Sequence, residues 1–379
     1  MVENKIWIST PHMDGNEQKY IQEAFDSNWI APIGANLTIF EQNLESYLGS
    51  GHIAVLNSGT AAIHLGLIIL GVESGDEVLC QSMTFSASAN PILYLGAIPV
   101  FIDSEPETWN LCPIALEIAI IDRIAKGKTP KAIIAVDLYG VPYKTEEVRA
   151  IADRYSIPIL EDSAEALGSH YKGQKCGTFG DISTLSFNGS KVITTSGGGA
   201  IITSSLALKK KAIFLATQAR EEAPHYQHTE IGYNYRMSNI CAGIGRGQME
   251  VLDSHIALRR KMHDFYLDVF KDIQGVTVFS VPNDTFFSNY WLSTILIDPA
   301  KTAGITRETV RLKLEKSNIE SRPLWKPMHL QPIFSEYSYY GNSVSETLFT
   351  TGLCLPSGSH LTEEDRDRIK SVILRLFSE

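Results

Sequence analysis

Residues 52–71 read HIAVLNSGTAAIHLGLIILG. HIAVL is an apolar, β-branched run of strand length, and GTAAIHLGLIILG is a longer apolar helix pattern. Between them sits the small polar turn Ser58-Gly59-Thr60. A strand that passes through a tight turn into a buried helix is the repeating unit of an α/β fold. Backbone N–H groups at such a helix start, with a hydroxyl beside them, suit a phosphate. Taken alone, the same turn is equally a plain Ser or Thr N-cap.

The unit recurs outward from this stretch. DEVLC (76–80), IPVFID (98–103), KAIIAVDLYG (131–140), IPILED (157–162), STLSF (183–187) and GGAIITS (198–204) read as strands, with helical patterns at 87–97 and 144–156. Near-continuous apolar strands alternating with helices predict a mostly parallel sheet covered on both faces. Near residue 245 the pattern changes. Residues 245–273 form one long amphipathic helix pattern, followed by a strand at 291–298, a helix at 306–318, a Pro-rich stretch at 321–334 and a terminal helix at 362–379. We expect a large α/β domain over 1–245 and a smaller α+β domain over 246–379.

The chain has 379 residues, 44% of them hydrophobic, which is enough for a large core. Its formal net charge of -10 argues against a sequence-independent nucleic-acid binder. No basic region followed by an apolar run opens the chain, and no apolar run is of membrane-spanning length, so neither a signal peptide nor a membrane is expected. The five cysteines are scattered without a C-x-x-C, which favours a reduced cytoplasm and no zinc ribbon. His225 and His228 lack a third ligand at suitable spacing, so no metal is expected.

Two further segments carry chemistry. Asp162 ends an apolar strand at the expected C-terminal edge of the sheet, where ligands of open α/β sheets collect. A buried carboxylate there needs a partner such as a protonated ring nitrogen; read alone, it is also a loop cap. Residues 186–199, SFNGSKVITTSGGG, put Lys191 ahead of a glycine run. A Walker A loop has its glycines before the lysine and Ser or Thr after it, so this is not one. An amine nucleophile forming a Schiff base is the alternative to a solvated hairpin lysine. A phosphate cup, a strand-end aspartate and a Schiff-base lysine are together what pyridoxal 5'-phosphate requires.

With these segments in hand, the chain resembles the DegT/DnrJ/EryC1/StrS family of nucleotide-sugar aminotransferases. The resemblance runs nearly end to end through SNWIAPIGANLTIFE (27–41), NSGTAAIHLGL (57–67), EDSAEALGS (161–169), SFNGSKVITTSGGGA (186–200), GYNYRMSN (232–239) and RPLWKPMHLQP (322–332). Residues 186–199 and 322–329 are most similar to the branch making UDP-4-amino-4,6-dideoxy-N-acetylglucosamine, the bacillosamine precursor.

The resemblance implies the aspartate-aminotransferase fold type I, with a seven-stranded, mixed, mostly parallel sheet. It implies that Lys191 bonds the cofactor and shuttles the proton, and that Asp162 holds the pyridine nitrogen. Ser58, Gly59, Thr60 and Ser186 bind the phosphate, Phe85 stacks on the ring, and Asn234 reaches the phosphate of a neighbouring subunit in a homodimer. Glu165 stands near the phenolic oxygen, where many members carry Gln or His. Asn28, Trp29, Ile30 and Ala31 belong to the substrate mouth; Arg322, Pro323, Leu324, Trp325 and His329 belong to the C-terminal substrate side. Arg236 and Arg220 are candidates for the donor carboxylate, and both are also readable as structural. The implied reaction passes an amino group from L-glutamate to a UDP-linked 4-keto-6-deoxy amino sugar. A dTDP-linked sugar is the alternative, and a catalytically silent binding protein on the same fold is the rival of another class. A sugar dehydratase is disfavoured, because those relatives replace the lysine with histidine.

Overall fold

The structure, a computed structural model, describes residues 4–378. Two N-terminal helices, α1 (Glu17–Asp26) and α2 (Ala35–Leu48), precede the strand–turn–helix unit β1 (His52–Leu56) and α3 (Gly59–Ile69). The alternation continues through β2 (Glu77–Gln81), α4 (Ser86–Tyr94), β3 (Ile98–Ile102), α5 (Pro113–Ala125), β4 (Ala132–Val136), α6 (Thr145–Tyr155) and β5 (Ile159–Asp162). A small hairpin, β6 (His170–Tyr171) and β7 (Gln174–Lys175), leads to β8 (Ile182–Ser186), β9 (Gly199–Thr203) and α7 (Leu206–Ala216).

These strands form one sheet in the order β1-β9-β8-β5-β4-β2-β3. Contacts among β3, β2, β4, β5 and β8 are parallel, and only β9 runs against its neighbours. β2, β4 and β9 are buried at every position, as expected for a sheet covered on both faces. The seven expected strands are joined at one edge by an eighth, the two-residue β14 described below, which pairs in parallel with β3.

The long helix α8 (Asn239–Phe270) begins six residues before the expected domain boundary at 245 and runs through it. Ser238 caps it by accepting a bond from the Cys241 N–H. The remainder comprises β10 (Val276–Val278), β11 (Phe286–Phe287), β12 (Ser293–Ile297), α9 (Arg307–Lys316), β13 (Arg322–Pro323), β14 (Tyr339–Tyr340), α10 (Val344–Thr351), β15 (Gly352–Leu355) and α11 (Glu363–Ser378). β10, β12, β15 and β13 make an antiparallel sheet. Its apolar face packs with α8, α9 and α11 around Tyr266, Phe270, Ile295, Leu314 and Ile369. No helix among the described residues is long and apolar enough to cross a membrane.

Because β1 and β8 both flank the reversed β9, their C-terminal ends share the edge reached by β5, β4 and β2. The turns after these strands therefore converge on one rim, as ligand sites of open α/β sheets do.

Candidate active site

A cavity of about 270 Å³ opens at that rim. Ser58, Gly59, Thr60, Phe85, Asp162, Glu165, Ser186, Lys191 and Trp325 all line it.

The floor of the cup comes from α3. Ser58 is extended (φ -163°, ψ 158°) and its hydroxyl accepts the Ala61 N–H at 3.0 Å, so the N-cap reading holds. As the first helical residues, Gly59 and Thr60 have N–H groups with no intrahelical partner, so the helix start also offers donors to an anion. A Cβ on Gly59 would lie 3.0 Å from Ser186 Cβ, and one on Gly199 would lie 2.4 Å from the backbone of Ser58. Gly199 thus serves close approach: it lets the start of β9 press its main chain onto the cup.

Asp162, at the end of β5, is 4% exposed. Its Oδ2 accepts the Ser88 hydroxyl at 2.6 Å and its Oδ1 accepts the Ala164 N–H at 3.2 Å. Burial pushes its pKa above the usual value, against the pull of these two bonds and of the Lys191 charge. Ser88 is itself bonded to Thr84 at 2.7 Å, which fixes the hydroxyl that orients the carboxylate.

Lys191 leaves the turn after β8, where its N–H bonds the Asn188 carbonyl. Its Nζ lies 3.5 Å from Glu165 Oε1 and 4.0 Å from the centroid of the Trp291 ring. Glu165 Oε2 accepts the Tyr139 N–H at 2.7 Å, and burial raises its pKa while Lys191 lowers it. Phe85 and Trp325 form the outer wall, their rings 5.6 Å apart. Phe85 is 53% exposed, so it is not an ordinary core residue.

Other expected positions stand apart from the cavity lining. Asn28, Trp29, Ile30 and Ala31 are exposed, and Asn239 on α8 grips the Trp29 carbonyl with its side chain and the Ala31 carbonyl with its N–H. Asn234 is also exposed; its carbonyl accepts a bond from Asn57, which does line the cavity. Arg236 is held by Glu41 at 2.6 Å and by the Val55 carbonyl at 2.8 Å, which pins α2 to β1. Both bonds come from Nη1, and they tie Arg236 to partners inside the fold, as its structural reading expects. Arg220 lies over the Tyr226 ring at 5.1 Å. Arg322 is an exposed partner of Glu320, Pro323 belongs to β13, and Leu324 is core. His329 bonds Ser82 at 2.7 Å and stacks on Tyr339, and burial lowers its pKa. His225 and His228 bond Gln227 and the Gln218 carbonyl.

The sequence reading missed Trp291, Ser88 and Thr84. Trp291 stands one residue before Leu292 and two before β12, in a strand-edge pattern that gives no sign of the cavity it faces.

A model of the DegT/DnrJ/EryC1/StrS aminotransferase family matches residues 11–374. The chain belongs to this family. EpsN of Bacillus subtilis (strain 168), provisionally named a pyridoxal phosphate-dependent aminotransferase, is 50% identical over 98% of this chain and 96% of its own. A GDP-perosamine synthase of Escherichia coli O157:H7 is 37% identical, with 99% of each chain covered. Among solved structures, a DegT DnrJ EryC1 StrS aminotransferase from Brucella abortus superposes with a TM-score of 0.89 at 30% identity, covering 96% of each chain. The fold is therefore that of the type I pyridoxal phosphate enzymes, and the cofactor of this aminotransferase family is pyridoxal 5'-phosphate. The cavity fits that group: it holds a helix-start cup, a buried carboxylate and a lysine amine in one space.

Proposed function

We propose that this sugar aminotransferase passes an amino group from L-glutamate to the 4-keto carbon of a UDP-4-keto-6-deoxy-N-acetylhexosamine. The products are 2-oxoglutarate and UDP-4-amino-4,6-dideoxy-N-acetylglucosamine, for a bacillosamine-type glycan or surface polysaccharide. The observation that carries the chemistry is the shared cavity of Lys191, Asp162 and the Ser58–Thr60 turn. The choice of sugar rests on the likeness of residues 186–199 and 322–329 to that branch.

Bound there, pyridoxal phosphate supplies an electron sink for the carbon that loses its proton. Ser58, Gly59, Thr60 and Ser186 hold the phosphate. Asp162 would pair with the ring nitrogen, a partner suited to a carboxylate whose burial pushes its pKa up. Lys191 would bond the cofactor, and its Nζ would serve as the group that moves the substrate proton. Glu165 would stand near the phenolic oxygen, where two anions would repel, so one of the two groups would hold a proton. Phe85 covers the ring, and Trp325 belongs to the sugar side. Asn234 reaches the phosphate of the second subunit, so the working unit is a homodimer in the cytoplasm. The substrate mouth is formed from Asn28 to Ala31, and the chain divides near residue 245.

The test is incubation with glutamate and a panel of UDP-, dTDP- and GDP-linked 4-keto-6-deoxy sugars, with the amino sugar identified by mass and NMR. Turnover of the UDP-N-acetyl substrate alone supports the proposal; turnover of only the others overturns the sugar assignment. The second reading, another nucleotide, is favoured by the 37% identity to a GDP-perosamine synthase.

A further inference from the structure

Behind the lysine loop, α8 carries Arg259, which is 1% exposed and is the largest of the fully buried side chains. Its Nη1 donates to the Trp291 carbonyl at 2.8 Å and the Ser357 carbonyl at 3.3 Å. Its Nη2 donates to Ser9 Oγ at 3.0 Å and the Lys191 carbonyl at 3.3 Å. All four acceptors are neutral. Burial with no carboxylate partner among the described residues pulls its pKa down to about 9, which leaves it cationic at neutral pH.

A buried charge with no counter-ion is costly, and an apolar side chain of similar volume is often the more stable choice. The geometry points to what this one does. Two of its bonds reach the parts that set the catalytic amine: the main chain of Lys191, and Trp291, whose ring lies 4.0 Å from Nζ. The preceding residue is held twice more, since both Ser9 Oγ and the Trp291 indole N–H donate to the Ser190 carbonyl, at 2.8 and 2.7 Å. We infer that Arg259 is a positioning residue for Lys191: it anchors the root of the lysine arm and the aromatic plate under its tip. A flexible arm fixed at both places presents its amine to an aldehyde in a narrow range of poses, and small misplacements of reacting atoms are costly in rate.

The inference rests on Lys191 being the residue that bonds the cofactor. Two probes separate positioning from general stability. Pyridoxal 5'-phosphate bonds the lysine and gives a visible absorbance band; pyridoxine 5'-phosphate has the same ring and phosphate but no aldehyde. Loss of hydrogen bonds from a charged donor predicts that Arg259→Met captures pyridoxal phosphate at least ~10-fold more weakly. Its affinity for pyridoxine phosphate should stay within about twofold, because the cup and Asp162 are untouched. Arg259→Lys should recover part of the difference. Ser9→Ala, which removes one acceptor and one clamp on Ser190 without unburying a charge, should move the same ratio in the same direction and guards against misfolding of Arg259→Met. Equal weakening of both probes, or an unchanged ratio in Ser9→Ala, overturns the inference. A wild-type band left unchanged by Arg259→Met sinks it alone. A wild-type chain with no band sinks the Lys191 assignment and this inference with it.

Discussion

Asp162 and Glu165 are two buried carboxyls beside the Lys191 amine. Burial raises both pKa values above the ordinary 3.8 and 4.5. The folded chain therefore binds protons that the unfolded chain has released. That contribution is fully present below the unfolded values and is lost as pH rises through the raised folded ones. The contribution of these two groups to the stability of cofactor-free protein should accordingly fall from acid toward neutral pH, against the opposite contribution of carboxyls with lowered values such as Glu45, Asp103 and Glu320. The double variant Asp162→Asn, Glu165→Gln should remove that contribution and so make the slope of stability against pH more positive in denaturant titrations at several pH values. An unchanged slope would show that other groups dominate. Lys191→Ala removes a side chain whose closest polar contact is long, 3.5 Å, so folding should survive while the visible band and turnover vanish. Residual turnover near the wild-type rate would remove Lys191 from the reaction. Asp162→Asn keeps the shape but not the charge, and should lower turnover on the order of 10²-fold or more, as lost electrostatic stabilisation does.

Among elements, the hairpin of β8 and β9 and the start of α3 work as one part. A methyl group on Gly199 would meet the Ser58 main chain at 2.4 Å, a contact that backbone cannot yield cheaply. Gly199→Ala should cost ~1–3 kcal/mol, the usual range for overpacking. It should also weaken binding of inorganic phosphate, because relief comes by moving the cup. A thermal melt and a phosphate titration check both halves, and a variant matching wild type in both refutes the packing argument. This part was legible as pieces: the strand HIAVL, the turn and the strand GGAIITS each follow local periodicity and turn chemistry. That Gly199 presses on Ser58 was not legible, since that contact joins residues far apart in the chain. Trp291 escaped notice for the same reason. Arg236 shows the same limit: its motif is local, but its partners Glu41 and Val55 lie on other elements. On α5, Ile114, Ile118 and Ile121 are exposed.

At the scale of the whole molecule, Asn234 is exposed and lies beside Asn57 at the cavity rim, with its side chain outside the lining. Large apolar side chains, including Trp29, Ile30, Ile33, Tyr226 and Ile231, are also exposed. Both features suit a partner subunit of the same kind. If Asn234 serves the neighbour's phosphate, the two active sites are shared, and a mixing experiment can read this directly. Lys191→Ala chains lack the amine but keep Asn234; Asn234→Ala chains keep the amine but lack the donor from across the interface. Each homodimer is then defective at both sites. In a mixed dimer, the site carrying Lys191 receives an intact Asn234 from its partner, while the other site has both lesions. With two-fold symmetry and free exchange, equal mixing should restore about a quarter of wild-type sites. Turnover measured at limiting pyridoxal phosphate should rise above the sum of the separate variants once subunits have exchanged. If Asn234 acts within its own chain, mixing yields no site with both groups intact, and activity stays at that sum.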